Sequence, residues 1–325
     1  MTGHDAGLVV RELGSRLELE TAQTRYRGHA GELAAASVAQ GYDLVVTFGG
    51  DGTVNEVVNG LMRSPVPAVG SASGGDAAVL DGASGLVGPA GRDGGAGASR
   101  RPAIAPVPGG GANVFARTLG LPPDAAGAVQ QILRAVDSGT RRTIGLGLAG
   151  ERYFTFSAGL GVDAEVVADV ERQRARGRHA STLLYLRTAL RRYYARTDRR
   201  RPALTLTTPG QPPVTGLFMG VVTNSSPWTY LGSHPLRPAH ADFSSGLDLF
   251  ALRRLRTLTT LAALRHMMHT TSELPSGRDV VSASALTELG FEADRPIAFH
   301  IDGEYLGETE GVSFRFVPEA LCVLA

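Results

Sequence analysis

The chain is 325 residues long with a hydrophobic share of 43%, which is enough for two domains that each bury a core. Its 32 basic and 31 acidic residues nearly cancel, so the net charge of +1 neither indicates nor excludes a nucleic-acid partner. The single cysteine, Cys322, excludes an intrachain disulfide and fits a reducing compartment. No apolar run reaches about 18 residues and no secretory signal pattern opens the sequence, so we expect a cytoplasmic protein that does not span a membrane.

All of the basic residues are arginine, because the sequence contains no lysine. A phosphate-binding site in this protein therefore cannot use the lysine of a P-loop, and the pattern G-x-x-x-x-G-K-[ST] is absent. The histidines of the second half, His300 among them, show no metal-ligand spacing with cysteine or carboxylates, so we expect them to be structural.

The first third of the sequence alternates between strand and helix patterns. Helical patterns cover residues 28–40, 54–62 and 113–119, and apolar runs of strand length cover residues 42–48, 65–69 and 103–107. Apolar runs of this kind are typical of strands that are buried on both faces. Residues 1–140 are therefore predicted to form an α/β domain, with helices on both faces of a parallel sheet.

One segment of this domain has a different composition. Residues 71–101 are almost entirely glycine, alanine, serine and aspartate with scattered larger apolar residues. Such a segment buries too little apolar surface to offset its ordering entropy. We expect a flexible insertion within the first domain.

The pattern changes after about residue 140. Short β-rich segments, several with alternating apolar and polar residues, cover residues 152–156, 203–207, 216–223, 247–252, 296–301 and 312–316. Residues 141–310 are therefore predicted to form a second, mainly antiparallel β domain. We expect the C-terminal segment 311–325 to return to the first domain.

The strongest local signal is a glycine-rich turn, Gly49-Gly50-Asp51-Gly52-Thr53, between a buried strand and a helix. Its glycines allow a phosphate to approach the main chain without a Cβ atom in the way. The helix that follows offers N–H groups and the positive end of its dipole. An aspartate fits there as a magnesium-linked group or as part of a proton-transfer network. An ordinary strand-to-helix turn is the alternative, but the full sequence favours nucleotide phosphate binding.

Two further turns carry candidate chemistry. Residues 108–113 (PGGGAN) repeat the strand–glycines–helix design, and a plain loop is an equally good interpretation of this turn alone. Asp302-Gly303-Glu304 lies between two predicted strands, where Asp-Gly is the preferred pair of a type I′ hairpin. Glu304 nevertheless places a carboxylate beside a backbone turn, as a general base for a hydroxyl group requires.

Together, these three turns resemble the diacylglycerol kinase catalytic-domain family, which also contains sphingosine kinases and bacterial lipid kinases. The resemblance covers most of the chain from about Thr24. It is carried by GGDGT with VNEVVNGL (residues 49–61), GANVFAR (111–117), FTFSAGLGVDA (154–164) and IDGE (301–304). It implies a two-domain enzyme that transfers the γ-phosphate of ATP to the hydroxyl of a diacylglycerol-like or sphingoid lipid, with Mg²⁺ as cofactor. In such an enzyme the second domain, residues 141–310, is a mainly antiparallel β-sandwich that receives the lipid substrate.

The resemblance also assigns roles to residues of this chain. Glu304 matches the proposed proton acceptor, and Asp51 matches an aspartate with that role or a magnesium role. ATP binding is assigned, together with the glycine-rich turns, to Thr24, Gly49, Gly50, Asp51, Gly52, Thr53, Val54, Asn55, Glu56, Gly110, Gly111 and Asn113. A structural magnesium site maps onto Asp242, Ser245 and Leu247.

The sequence departs from the family pattern at three places. The usual Asn-Pro-x-Ser-Gly turn near the start is missing, and Gly111 replaces a threonine or serine of the second turn. Ser245 stands where the magnesium motif has a carboxylate. An NAD kinase-like enzyme, which shares the GGDG turn, and a catalytically impaired lipid-binding relative therefore remain alternatives.

A basic segment, residues 172–201, holds eleven arginines and one acidic residue, Asp198. Leucine and tyrosine residues interleave with these arginines, as in helices that lie on anionic membranes, although a solvated helix face fits equally well. We expect peripheral membrane association, because the implied substrate is a lipid. Motifs for nucleic-acid binding are absent from the sequence, and a homodimer is left open.

Overall fold

The structure is a computed structural model. It describes residues 3–65, 78–81, 84–87, 101–176, 188, 201–231, 234–237, 241–256, 262, 265–268 and 274–325. The chain divides into two compact units, one formed by Met1–Ile144 with Glu319–Ala325 and the other by Gly145–Pro318. The sequence analysis placed the corresponding limits at residues 140 and 310.

The first unit alternates helices and strands. Its helices are α1 (Gly3–Gly14), α2 (His29–Gln40), α3 (Asp51–Arg63), α4 (Val114–Thr118) and α5 (Ala125–Asp137). Its strands are β1 (Glu20–Gln23), β2 (Leu44–Gly49), β3 (Ala78–Asp81), β4 (Ser84–Val87) and β5 (Ala103–Pro108). Strand β2 pairs in parallel with β5 and β3, and β3 pairs in parallel with β1.

Strands β3 and β4 lie inside the segment that was expected to be a flexible insertion. They pair with each other and with β1 and β2. Backbone pairing stabilises these eight positions within a segment whose overall composition does not indicate strands. Residues 78–81 and 84–87 are therefore paired strands, and the flexibility of the insertion stays a prediction. The rest of the insertion up to residue 100 lies outside the described residues, and so do residues 66–69 of the strand predicted at residues 65–69.

The core of the first unit explains the order of its elements. Alternate residues of β2 and β5, such as Leu44, Val46 and Ala105, pack against α1 and α5. The C-terminal Leu324 joins the same core, and Val323 pairs in parallel with Ile104 of β5. Helices α2 and α3 pack side by side, and α3 contacts β2.

The second unit is mainly antiparallel. Its elements in chain order are β6 (Arg142–Ala149), β7 (Arg152–Phe154), β8 (Ser157–Gly161), α6 (Val162–Ala175), β9 (Leu204–Thr207), β10 (Val214–Leu217), β11 (Met219–Thr223), β12 (Thr229–Leu231), β13 (His234–Leu236), β14 (Leu247–Leu252), β15 (Val280–Leu286), β16 (Glu288–Ile301) and β17 (Glu304–Val323). Strands β17, β16, β8, β11, β14 and β15 follow one another as antiparallel neighbours, and β9 pairs with β16. The predicted fold class is thereby confirmed, with parallel α/β structure first and antiparallel β structure second.

The turn between β16 and β17 is a tight hairpin. Asp302 and Gly303 both have positive φ, 47° and 74°, and Ile301 pairs with Glu304. Positive φ at both central positions is the requirement of a type I′ turn. The hairpin alternative for Asp-Gly is therefore confirmed, and it places Glu304 at the first position of β17.

None of the helices in the described ranges is long and apolar enough to cross a membrane. Most of the basic segment lies outside those ranges, since only residues 172–176, 188 and 201 of it are described.

Candidate functional site

The two glycine-rich turns of the first unit lie side by side. Each follows a strand of the parallel pair β2–β5, in which Gly49 pairs with Pro108. The backbone N–H of Gly109 donates a hydrogen bond of 2.9 Å to the carbonyl oxygen of Gly49. Ligands of open α/β sheets bind at this carboxyl edge of the strands. The two glycine-rich turns therefore converge at one edge of the sheet.

Close backbone contact explains why glycine occupies these positions. A Cβ atom on Gly110 would lie 2.6 Å from the Cα atom of Gly50, and one on Gly109 would lie 3.1 Å from the Cα atom of Gly49. A Cβ atom on Gly49 would lie 2.8 Å from the Thr53 hydroxyl. A side chain at Gly110 would force the two turns apart, and one at Gly49 would overlap Thr53 of its own turn. Gly52 and Gly111, in contrast, face open space and are exposed.

Asp51 links the two turns. It begins helix α3 and accepts a hydrogen bond of 3.1 Å from the backbone N–H of Phe115, in helix α4. This contact fixes the second turn relative to the first. The half-buried Asp51 carboxylate therefore has a structural role, in addition to the magnesium or proton-relay role that the sequence predicts for it.

The N-terminus of α3 is suited to an anion. Its N-cap is Gly50, which has no side chain to accept hydrogen bonds from the first N–H groups of the helix. These groups and the helix dipole point toward the surface between the glycine-rich turns. The site therefore has the backbone donors that a phosphate needs without a lysine.

Asn113 shapes the second turn. Its side chain accepts a hydrogen bond of 2.8 Å from the Gly110 N–H and donates one of 2.9 Å to the Gly110 carbonyl. Its φ of 48° is left-handed, a conformation that asparagine tolerates better than most residues. The structure thus gives Asn113 a local structural role.

The remaining predicted nucleotide contacts differ in exposure. The side chains of Val54 and Asn55 are buried, and Asn55 accepts a hydrogen bond from Asn59 one turn along α3. Glu56 accepts a hydrogen bond of 2.8 Å from the N–H of Gly28, at the start of α2. Thr24 is half-buried and directly follows β1. The side chains of Val54, Asn55 and Glu56 therefore pack or pair within the unit.

Asp302, in the second unit, is a buried structural carboxylate. It accepts hydrogen bonds of 2.8–3.1 Å from the backbone N–H groups of Thr155, Phe156 and Ser157 and from the Thr155 hydroxyl. Burial raises the pKa of the Asp302 carboxyl above its ordinary value, and these hydrogen bonds act in the opposite direction. The hairpin is therefore anchored to the segment between β7 and β8.

Glu304 forms an ion pair with Arg152. The side chains are 14% and 26% exposed, respectively, so a small part of the carboxylate still reaches solvent. Arg152 lies in β7, next to the segment that holds Asp302. The hairpin and this pair together fix the position of the Glu304 carboxylate.

A second polar pair, which the sequence analysis did not single out, involves the residue before Ile301 in β16. His300 Nε2 and Asp163 Oδ2 are 2.6 Å apart, and the histidine is buried. Gly159 makes room for the pair, because a Cβ atom there would overlap both side chains. Asp163 was visible within the segment FTFSAGLGVDA, but only the pairing of β8 with β16 shows its partner.

A cavity of about 850 Å³ lies within the second unit near Glu304. Acidic, basic and apolar side chains line it, among them Glu165, Glu171, Arg295, Phe218 and Ile297. Glu171 also accepts a hydrogen bond of 3.1 Å from the N–H of Tyr305, the residue after Glu304. The cavity thus combines apolar surface with charged groups.

The predicted structural magnesium site shows a self-contained turn. Asp242 accepts hydrogen bonds of 2.7 Å from the N–H and the hydroxyl of Ser244, and the Ser245 hydroxyl contacts the Asp242 backbone. Leu247 begins β14. Within the described ranges, no group of three histidine, cysteine, aspartate or glutamate side chains is arranged to hold a metal ion. These residues form a serine-capped turn, and their metal role stays a prediction.

The fold and the first site together define a protein class. The first unit is an α/β unit with converging glycine-rich turns, and it precedes an antiparallel β unit. Residues 4–142 match the family model described as the diacylglycerol kinase catalytic domain. The predicted resemblance to this family is confirmed by the match over residues 4–142.

Individual relatives agree with the family match. The chain is 32% identical over 156 residues to a diacylglycerol kinase of Bacillus subtilis, and the match spans 47% of this chain and 38% of that protein. It is 26% identical over 318 residues to a protein of Chromohalobacter salexigens named "Probable lipid kinase YegS-like", which covers 97% of this chain and 86% of the relative. At a coarse level, its relatives are lipid kinases.

Solved structures support the fold. A diacylglycerol kinase structure from Bacillus anthracis superposes with a TM-score of 0.60 at 18% identity, over 93% of this chain and 82% of that one. A second Bacillus anthracis structure reaches a TM-score of 0.65 at 19% identity, over 99% and 91% of the two chains. At such identities the likeness concerns the fold alone.

Proposed function

We propose that this protein transfers the γ-phosphoryl group of ATP to the hydroxyl of a diacylglycerol-like or sphingoid lipid. The observation that carries the proposal is the contact between the Gly49–Gly50 and Gly109–Gly110 backbones at the N-terminus of α3. That contact leaves backbone donors, an uncapped helix and one carboxylate, Asp51, at a single surface. The match of this unit to a lipid kinase family selects the reaction class.

The first unit holds the nucleotide in this proposal. Backbone N–H groups of residues 50–53 bind the phosphates, and Asp51 lies where a divalent cation next to the phosphates would need a carboxylate ligand. The oxygen chemistry of Asp51 fits Mg²⁺, which prefers one or two carboxylates together with substrate phosphates. When bound, Mg²⁺ neutralises negative charge on the transferring phosphoryl group.

Glu304 is the proposed proton acceptor. In the reaction, the bond between the γ-phosphorus and the bridging oxygen of ATP breaks, a bond from the lipid oxygen to that phosphorus forms, and the hydroxyl proton passes to Glu304. Arg152 orients the carboxylate but also competes for it, so the pair has to loosen when the lipid hydroxyl arrives. The neighbouring cavity is the proposed place for the polar end of the acceptor.

The arginine-rich segment 172–201 would recruit the enzyme to an anionic membrane, where its lipid acceptor resides.

Two other functions compete with this proposal: an NAD kinase-like activity, and lipid binding by a catalytically impaired relative. The missing first turn and the absence of a hydroxyl at Gly111 are the observations that support testing the impaired alternative.

A direct assay separates these functions. Purified full-length protein is incubated with γ-labelled ATP, Mg²⁺ and mixed vesicles that carry one candidate acceptor each, and the labelled product is extracted into organic solvent. We expect label in the organic phase with at least one diacylglycerol or sphingoid base. Label only on NAD⁺ in a parallel reaction would overturn the proposal. ATP binding without transfer to any acceptor would identify the impaired relative.

A further inference from the structure

The loop between β1 and α2 presents an aromatic pair. The rings of Tyr26 and His29 are stacked, with centroids 4.7 Å apart and an interplanar angle of 19°. The phenol of Tyr26 donates a hydrogen bond of 2.6 Å to Glu32, and the N–H of Arg25 donates one of 3.1 Å to His29 Nδ1. These contacts hold both rings in place without covering them.

Tyr26 is exposed in a way that a packing residue is not. Its exposed fraction is 57%, the larger value of two large hydrophobic side chains that are exposed in the described ranges. One face of its ring rests on His29, so the opposite face is the one available for another planar group. A fixed ring with an open face is suited to stack on a nucleobase.

The sheet places this loop at the same edge as the glycine-rich turns. Gln23, the last residue of β1, pairs with Asp81 of β3, and Asp81 pairs in parallel with Phe48 of β2. The end of β1 is therefore level with the end of β2, about two strand spacings or roughly 10 Å away. A purine nucleotide bridges a gap of this order between its base and its phosphates.

The packing of α2 against α3 independently places the loop before α2 at the same end as the first glycine-rich turn. The N–H of Gly28 bonds to Glu56, and a Cβ atom on Gly60 would overlap the carbonyl group of Gly31. Gly28, the N-cap residue of α2, contacts the earlier residue of α3, Glu56, and the later residue Gly31 contacts the later residue Gly60. The two helices therefore run in the same direction. The loop before α2 and the first glycine-rich turn, which precedes α3, are therefore at the same end of this helix pair.

We infer that Tyr26, supported by His29, is the base-stacking platform of the nucleotide site and takes a purine ring while the turn at residues 49–53 holds the phosphates. This inference rests on the proposed function, because it needs a nucleotide at those turns. In this inference, Tyr26 contributes to the affinity for the purine base and contributes nothing to phosphate binding.

The test compares a ligand that has a base with one that lacks it. Binding of MgADP and of magnesium tripolyphosphate to the full chain is measured by calorimetry for wild type, Tyr26→Ala and Tyr26→Phe. We expect Tyr26→Ala to lower the affinity for MgADP about 10-fold or more, the size typical of one lost base–aromatic stack. The affinity for tripolyphosphate should stay within about twofold of the wild-type value. Tyr26→Phe keeps the ring and should bind MgADP like wild type. Tyr230→Ala, the same change in the second unit, controls for general effects.

The possible results are distinct. Unchanged MgADP binding in folded Tyr26→Ala protein would overturn the platform and leave the proposed function intact. An equal decrease in the affinities for MgADP and tripolyphosphate would also overturn it, because the ring would then act only through the shape of the phosphate site. Failure of the wild type to bind either ligand would overturn the nucleotide site itself. Circular dichroism of each variant, at a position this exposed, is expected to match wild type.

Discussion

At the scale of single residues, Gly111 is the position where one substitution is expected to raise nucleotide affinity. Family members usually carry a threonine or serine at this position, and here a Cβ atom would meet nothing within 4 Å. Gly111→Ser should therefore fit without strain and add a hydroxyl donor beside the phosphates. We expect MgADP affinity to rise by about 0.5–1.5 kcal/mol, the usual net value of one hydrogen bond. Calorimetry measures it, and Gly111→Ala, which adds bulk without a hydroxyl, should show no gain.

Glu304 allows a separation between chemistry and structure. Glu304→Gln keeps the size of the side chain but removes its basicity, so turnover on the best lipid should fall by roughly 100-fold or more while ATP affinity stays similar. Glu310→Gln, an exposed neighbour on β17, should leave turnover unchanged.

Arg152→Met completes that experiment, because it breaks the same ion pair and keeps the carboxylate. If Glu304 only stabilises the hairpin through Arg152, the two variants should lose stability and turnover to the same degree. If Glu304 is the proton acceptor, only Glu304→Gln loses most of its turnover. Near wild-type turnover of folded Glu304→Gln protein would contradict the assignment.

At the scale of elements, the contact between α2 and α3 depends on glycine. Gly60 lies in the middle of α3, where glycine costs about 0.5–1 kcal/mol relative to alanine. A Cβ atom there would nevertheless overlap the backbone of Gly31, which cannot move without shifting α2. The close approach of the helices therefore outweighs the intrinsic preference for alanine.

Gly60→Ala should consequently destabilise the protein by about 1–3 kcal/mol, the range found for overpacking a tight contact. Gly7→Ala is the matched control, since Gly7 is also inside a helix but a Cβ atom there would meet nothing within 4 Å. We expect Gly7→Ala to be neutral or slightly stabilising. Urea unfolding of both variants measures the difference, and equal midpoints would show that the two helices can separate at no cost.

At the scale of the whole molecule, the chain ends in the unit where it began. Leu324 is 2% exposed in the core of the first unit, and its N–H donates a hydrogen bond of 2.9 Å to the carbonyl of Ile104. The last residues thus act as an additional strand beside β5. The first unit is therefore incomplete without Glu319–Ala325.

Leu324→Ala should lower the free energy of unfolding by about 2–5 kcal/mol, since it removes a buried leucine side chain. Arg315→Ala, at an exposed position of β17, should change it by less than about 0.5 kcal/mol. Thermal and urea denaturation of the full chain provide the measurement. A Leu324→Ala variant as stable as wild type would mean that the terminal segment does not contribute to this core.

The sequence alone determined the structural features that depend on residues close together in the chain. The apolar run of β2, the glycines after it and the period of α3 are signals within some 20 residues, and they placed both elements and the turn between them. The helix nevertheless begins at Asp51, earlier than the apolar period indicates, because a helix start with glycines carries no apolar marker. The same local patterns identified Asp302-Gly303 as a hairpin turn and Glu304 as the residue after it.

Only the tertiary structure decided which of these residues meet. No local pattern connects Asp163 with His300 or Glu304 with Arg152, since each pair is more than a hundred residues apart in sequence and depends on the order of strands in the sheet. Strands β3 and β4 likewise form by pairing of the backbone with β1 and β2, although their composition suggests no structure. The role proposed for Tyr26 likewise depends on strand register and helix direction. These are long-range properties, because they depend on elements that are distant in the chain and adjacent in the fold.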